Sequence, residues 1–219
     1  MKNTFIALLL GLMLFLAGCF DITEEVTFLK NGQSGTNRVT IDMSSMMGML
    51  SMFMPDSLKE SMSMDNMLQT DMSLYTRISG ISNVRSERID EYKYAITYDF
   101  ATIDALNKAQ ALDNSNDTGL GKIATKFKGK KGKLYRQTSY SPGEEAEHDH
   151  EIDDYKEMFD LMGEPKYRVI YHFPNKIKKV KLKGMNPVTT REGNTITMEY
   201  NFMDFMKTKG MVMDHYIKY

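Results

Sequence analysis

Ten of the chain's 20 methionines fall between Met43 and Met72, which concentrates soft sulfur chemistry and adaptable apolar packing in one stretch. Met43, Met47, Leu50, Met54 and Leu58 form a stripe at helical spacing, and Met46, Met49 and Phe53 widen it. A long helix over 44–72 is expected, kinked or divided at Pro55. Three chemistries fit the segment. Its stripe can face a core, as apolar stripes usually do. Met43, Met46, Met47, Leu50, Phe53 and Met54 can instead line a surface for an apolar ligand or partner, because methionine adapts to varied greasy shapes. Thioethers also select Cu(I), and Met47-Gly48-Met49, Met52-Phe53-Met54 and Met62-Ser63-Met64 are M-x-M pairs. Residues two apart on a helix diverge by about 200°, so those pairs chelate only if the segment unwinds.

Two further clusters carry charge chemistry. His148 and His150 sit in the acidic run Glu144–Asp154 and are candidate zinc or divalent-metal ligands. Two histidines and loose acids do not make a closed site, and such runs are usually solvated loops. Lysines gather at 122, 126, 128, 130, 131 and 133, and again at 176, 178, 179, 181 and 183. Lys179, Lys181 and Lys183 alternate with Val180 and Leu182, so three ammoniums line one strand face. They suit either protection of a sheet edge or contact with anionic headgroups, at about 1 kcal/mol per lysine.

Cys19 is the only thiol in 219 residues, which excludes an intrachain disulfide and asks for another use. Lys2 precedes an apolar run, Phe5 to Ala17, that is shorter than the ~20 residues a bilayer-spanning helix needs. A charged start, a short apolar centre and small residues at its end describe a signal peptide, here 1–18. Leu16-Ala17-Gly18-Cys19 resembles the bacterial lipobox, in which the cysteine is acylated and becomes the first mature residue. Two or more acyl chains anchor firmly where one does not. The expected product is one lipid-anchored domain, 19–219, in the bacterial cell envelope, with the outer membrane the favoured site. A strand-like sequence begins at Ile22, so at ~3.3 Å per residue the tether holds the domain within about 10 Å of the headgroups.

Other functions are disfavoured. The net charge is -1 with 26% charged residues, a balance without bulk affinity for nucleic acid. There is no G-x-S-x-G, no H-E-x-x-H and no phosphate-binding glycine loop, so neither an enzyme nor a cofactor is expected. His172 and His215 have no recognisable partners in the sequence.

The elements that must position these residues are mostly strands. Tyr92, Tyr94, Ile96, Tyr98 and Phe100 alternate with polar residues, as do Tyr167–Phe173 and Ile196–Phe202. A hairpin is expected from strand 22–30 through Asn31–Gly35 to Val39, Ile41 and Met43. Weaker strands are expected at 80–89, 133–140 and 176–183, with a turn at Gly193-Asn194. Residues 103–112, with Thr102 as N-cap, and 152–162, ended by Gly163, have helical spacing. The sum is an α+β class: an antiparallel sheet with packed helices, one of them long and Met-rich.

With these pieces placed, Ile22–Phe28 leading to Ile41-Asp42-Met43, Tyr167–Val180 with Phe173-Pro174-Asn175-Lys176-Ile177, and Asn194–Tyr200 carry a likeness. In them the chain resembles bacterial lipoproteins with a mycobacterial lipoprotein-M-type domain. That resemblance implies a curved antiparallel sheet comparable to lipid-binding folds and a lipid-related role. The chain departs from the pattern in lacking a C-terminal membrane helix and in its Met-rich segment. Three functions follow in order: a non-enzymatic binding domain for a lipid or apolar ligand, an interaction subunit docking on an envelope protein, and a copper- or zinc-binding periplasmic protein.

Overall fold

The computed structural model describes residues 21–45, 47–48, 72–113, 122–130, 132–141, 165–201, 204 and 212–219. The expected α+β class is overturned. Strands hold 60% of the described residues and helices 16%, so the protein is mainly β, and the described residues contain no long Met-rich helix. Only a helical turn near Ser44 and a short helix, α1 (Met72–Thr76), flank that segment; residues 49–71 lie outside the described ones. The helix α2 (Ile103–Asp113) does form, and Thr102 caps it: the Ala105 N–H donates to Thr102 Oγ1 at 3.1 Å. The 152–162 segment also lies outside the described residues.

The class shifts because three more strands form than the alternation suggests. The eleven described strands are β1 (Asp21–Phe28), β2 (Gly35–Asp42), β3 (Ile81–Arg88), β4 (Lys93–Phe100), β5 (Lys122–Lys130), β6 (Lys133–Ser141), β7 (Lys166–His172), β8 (Lys179–Gly184), β9 (Val188–Glu192), β10 (Thr195–Asn201) and β11 (Met213–Lys218). They make a seven-stranded sheet, β3-β4-β2-β1-β7-β10-β9, and a four-stranded sheet, β5-β6-β11-β8. The expected all-antiparallel pairing fails once, because β1 and β7 run parallel down the middle of the larger sheet. Period 2 shows which side chains share a face, and parallel and antiparallel neighbours satisfy it equally.

The first hairpin depends on a glycine. Gly35 pairs with Phe28 across β1 and β2, and a Cβ there would overlap the Thr27 carbonyl. The two sheets share one core, in which Val26, Phe28, Tyr171, Phe173 and Ile196 of the larger sheet meet Phe127, Leu134, Ile217 and Tyr219. Phe173 stacks on Tyr219 at 4.3 Å and on Phe28 at 5.5 Å. Helix α2 buries Leu106 and Ala109 and closes the free edge of β5. Asn107 donates from Nδ2 to the Phe127 carbonyl (2.9 Å) and accepts the Phe127 N–H at Oδ1 (2.6 Å), which removes an open template for strand pairing. No described helix is long and apolar enough to cross a membrane. Every described element lies between Asp21 and Tyr219, so a chain starting at Phe20 carries them all.

Candidate functional site

The four-stranded sheet turns its inner face to the core and its outer face to solvent, and alternation decides what each face carries. In β5 Phe127 points in while Lys126, Lys128 and Lys130 are exposed; in β8 Val180 and Leu182 pack against the core while Lys179, Lys181 and Lys183 are exposed. The register then aligns these lysines in rows. One row runs Lys128, Tyr135, Tyr216, Lys181; the next runs Lys130, Lys133, Lys218, Lys179. Two lysine clusters about fifty residues apart in sequence thus occupy opposite strands of one face, with β6 and β11 between them.

Among the described residues eight lysines, at 126, 128, 130, 133, 179, 181, 183 and 218, share this face with one acid, Asp214. None of the eight is in an ion pair among the described residues. Tyr135 and Tyr216 stand at the centre as a cross-strand pair, with ring centroids 4.7 Å apart. An open groove of about 320 Å³ lies over the centre, bordered by Tyr135, Gln137, Lys181, Lys183, Asp214 and Tyr216. Its chemistry is multivalent attraction of anions, with aromatic surface and hydrogen-bonding groups at the middle.

Beneath the groove, the sheets are joined by a buried polar network. Arg136 on β6 is 1% exposed and reaches across the core to Glu24 on β1, with Nη2 2.8 Å from Oε2. Nη2 also donates to Tyr167 Oη (2.6 Å), which in turn donates to Glu24 Oε2 (2.6 Å), and Gln110 of α2 donates to Oε1 (3.0 Å). Arg136 Nε reaches Thr138 Oγ1 at 3.0 Å. Burial opposes the guanidinium charge, yet the adjacent Glu24 carboxylate holds its pKa well above the usual arginine range.

The same network fixes a histidine tautomer. Arg136 can only donate, so Tyr171 Oη accepts from Nη1 (3.2 Å) and its own hydrogen goes to His215 Nδ1 (3.2 Å). The neutral ring then carries its proton on Nε2 and donates to Tyr200 Oη, whose hydrogen lies toward Met198 Sδ at 3.9 Å. Burial, reinforced by the Arg136 charge, pushes His215 well below the usual histidine range. Arg136 and His215 are inward neighbours of Tyr135, Gln137, Asp214 and Tyr216, so the network holds the strands that bear the groove.

The residues expected from sequence divide sharply. Lys179, Lys181 and Lys183 are on the lysine face. Met43 and Met47 are buried, at 9% and 4% exposure, and stand outside the main hydrophobic cluster; the Met47 N–H donates to the Met43 carbonyl at 2.9 Å. Met46, Leu50, Phe53 and Met54, like Cys19, His148 and His150, lie outside the described residues. Among the described residues no three His, Cys, Asp or Glu side chains converge on a metal position. His172, read as partnerless, bridges Glu25 Oε1 (2.7 Å) and Thr195 Oγ1 (2.9 Å) on the outer face of the larger sheet. Sequence reasoning missed the Tyr135–Tyr216 pair, Lys218 and Asp214. The Met213–Lys218 alternation was their only signal, and a histidine on its inward face obscured it. No model of a known protein family matches the chain, and no curated protein matches it.

Proposed function

We propose that the chain is a lipid-anchored, non-enzymatic binding domain of the bacterial cell envelope, with the outer face of the four-stranded sheet as its working surface. That surface takes the anionic headgroups of the membrane. The observation that carries this reading is the convergence around Tyr135 and Tyr216 of eight lysines that have no ion-pair partner among the described residues. Each lysine near an anionic surface gains about 1 kcal/mol, and tyrosine is suited to the boundary between headgroups and water. The lipobox-like Leu16–Cys19 supports the anchor, as does the likeness to lipoprotein-M-type domains. Asp21 already accepts a hydrogen bond from the Lys166 N–H (2.9 Å), so the described fold begins two residues after Cys19. A tether that short makes adsorption of the face an intramolecular event, with a high effective concentration. The ligand is thus a lipid, and it is engaged through its headgroup.

The test uses the chain from Phe20 and vesicles of phosphatidylcholine with about a third phosphatidylglycerol. Salt-sensitive binding is expected, absent on phosphatidylcholine alone. Changing Lys179, Lys181 and Lys183 together to Gln removes about 3 kcal/mol, or two orders of magnitude in affinity, at three exposed positions. Equal binding to neutral and anionic vesicles, or an unaffected triple variant, overturns the reading.

A further inference from the structure

The middle of the lysine face is not built for charge alone. Lys128, Tyr135, Tyr216 and Lys181 stand abreast, one on each of the four strands, so the row reads cation, ring, ring, cation. All four line the open groove of about 320 Å³, a volume at the lower end of the roughly 300–1,000 Å³ of small-ligand sites. Tyr135 is 41% exposed, a large apolar ring left partly in water at the centre of a surface that could bind single phosphates through its lysines. The outer strands add charge to both ends of the row. Lys126 and Lys130 flank Lys128 on β5, and Lys179 and Lys183 flank Lys181 on β8, on the same face because side chains two apart share it. The two ends are about 14 Å apart, three strand spacings of ~4.8 Å. A matching ligand reads anion, ring, ring, anion. Phosphomonoesters suit the ends, because each carries about −1.5 to −2 charges and can take more than one lysine. Pyranose rings suit the centre: each has an apolar C–H face and a rim of hydroxyls, and tyrosine has an apolar ring and a hydroxyl to meet them.

We infer that the groove takes the headgroup of a saccharide lipid, a disaccharide with a phosphate at each end, its sugar rings lying over Tyr135 and Tyr216. Lys128 with Lys130 holds one phosphate, and Lys181 with Lys179 holds the other. Gln137, on the border of the groove, offers its amide to the sugar hydroxyls. The inference rests on the lysine face being the headgroup surface, and adds that the headgroup is recognised by its rings as well as by its charge.

Vesicles of phosphatidylcholine test it when they carry equal surface charge as either phosphatidylglycerol or a bisphosphorylated glucosamine-disaccharide lipid. The wild type is expected to bind the second about tenfold more tightly, the scale of one good aromatic contact. Tyr135→Ala, at an exposed position, should erase that preference and keep the response to phosphatidylglycerol. A preference that survives the substitution, or a loss shared equally by both vesicles, overturns the ring contact. The acyl-free bisphosphorylated disaccharide, followed by chemical shifts in the wild type, needs no variant. Shifts at Tyr135 and Tyr216 that inorganic phosphate does not produce are expected, and identical shifts from the two overturn the pocket. If the wild type binds both anionic vesicles equally and still ignores neutral ones, the saccharide is refuted and the lysine face stands. Binding that does not depend on anionic lipid refutes the face itself.

Discussion

Arg136→Met tests the joint between the two sheets, because Arg136 on β6 is bonded to Glu24 on β1 and to Tyr167 and Tyr171 on β7. The substitution keeps an unbranched side chain but removes the charge facing Glu24 and the donors to Tyr167, Tyr171 and Thr138. Glu24, itself 3% exposed, keeps Tyr167 and Gln110 as donors but loses its counter-charge. Breaking a buried pair on one side costs about 3–5 kcal/mol, a large share of the roughly 5–15 kcal/mol that holds a domain folded. With a urea slope of about 2 kcal/mol per molar, the unfolding midpoint should fall by about 1.5–2.5 M. The double variant Glu24→Leu with Arg136→Met replaces both ions by apolar groups, an exchange that is often near neutral. It should therefore recover about 2 kcal/mol of the single variant's loss, which appears as a coupling energy in the double-mutant cycle. Urea unfolding followed by circular dichroism reads all four corners. A midpoint shift below about 0.5 M for Arg136→Met, or a coupling energy near zero, refutes the joint.

Two other outcomes follow from the interior. His215 stays neutral in the fold, because burial and Arg136 depress its pKa, while the unfolded chain takes up a proton below about 6.5. The unfolded state then binds more protons, so stability present above pH 6.5 is lost as pH falls below it, at up to about 1.4 kcal/mol per unit. His215→Phe should flatten that slope between pH 6.5 and the carboxylate range, and an unchanged slope in thermal melts would exclude His215 as its source. Met47→Ser should lower the unfolding midpoint by the equivalent of about 2–4 kcal/mol, since a buried apolar side chain is replaced by a hydroxyl. Its vesicle binding in native conditions should match the wild type; a folded variant that loses binding would assign Met47 to the ligand surface.

The sequence alone determined what depends on near neighbours. Alternation in Lys93–Phe100, Lys166–His172 and Thr195–Asn201 placed three strands, and in the last two their buried faces, because period 2 is a property of the strand itself. Lys93–Phe100 buries Ala95 and Thr97 as well as Tyr98 and Phe100, so both of its faces are covered. Thr102 and the spacing of Ile103, Leu106 and Ala109 marked α2 for the same reason. Lys179, Lys181 and Lys183 were likewise legible as one exposed strand face. The Met-rich stretch shows the limit of this approach. An apolar stripe gives a spacing but not the surface it meets; Met43 and Met47 are buried, yet outside the main hydrophobic cluster.

What only the tertiary structure decided is which distant residues meet. Lys122–Lys130 reads as a charge cluster until β6 and α2 flank it, and only then are Lys126, Lys128 and Lys130 a face rather than a run. Arg136, Glu24 and His215 look like surface residues by type; each is buried because a partner more than thirty positions away satisfies it. Burial of a charge is a property of the pair, and pairs are made by sheet order and register. Those are set by the core that the chain closes as a whole, which no local window of residues contains. The lysine face follows from the same fact: eight cations repel one another along any surface, and sheet pairing brings them together while the buried network ties β6 and β11, at the middle of that face, to the larger sheet.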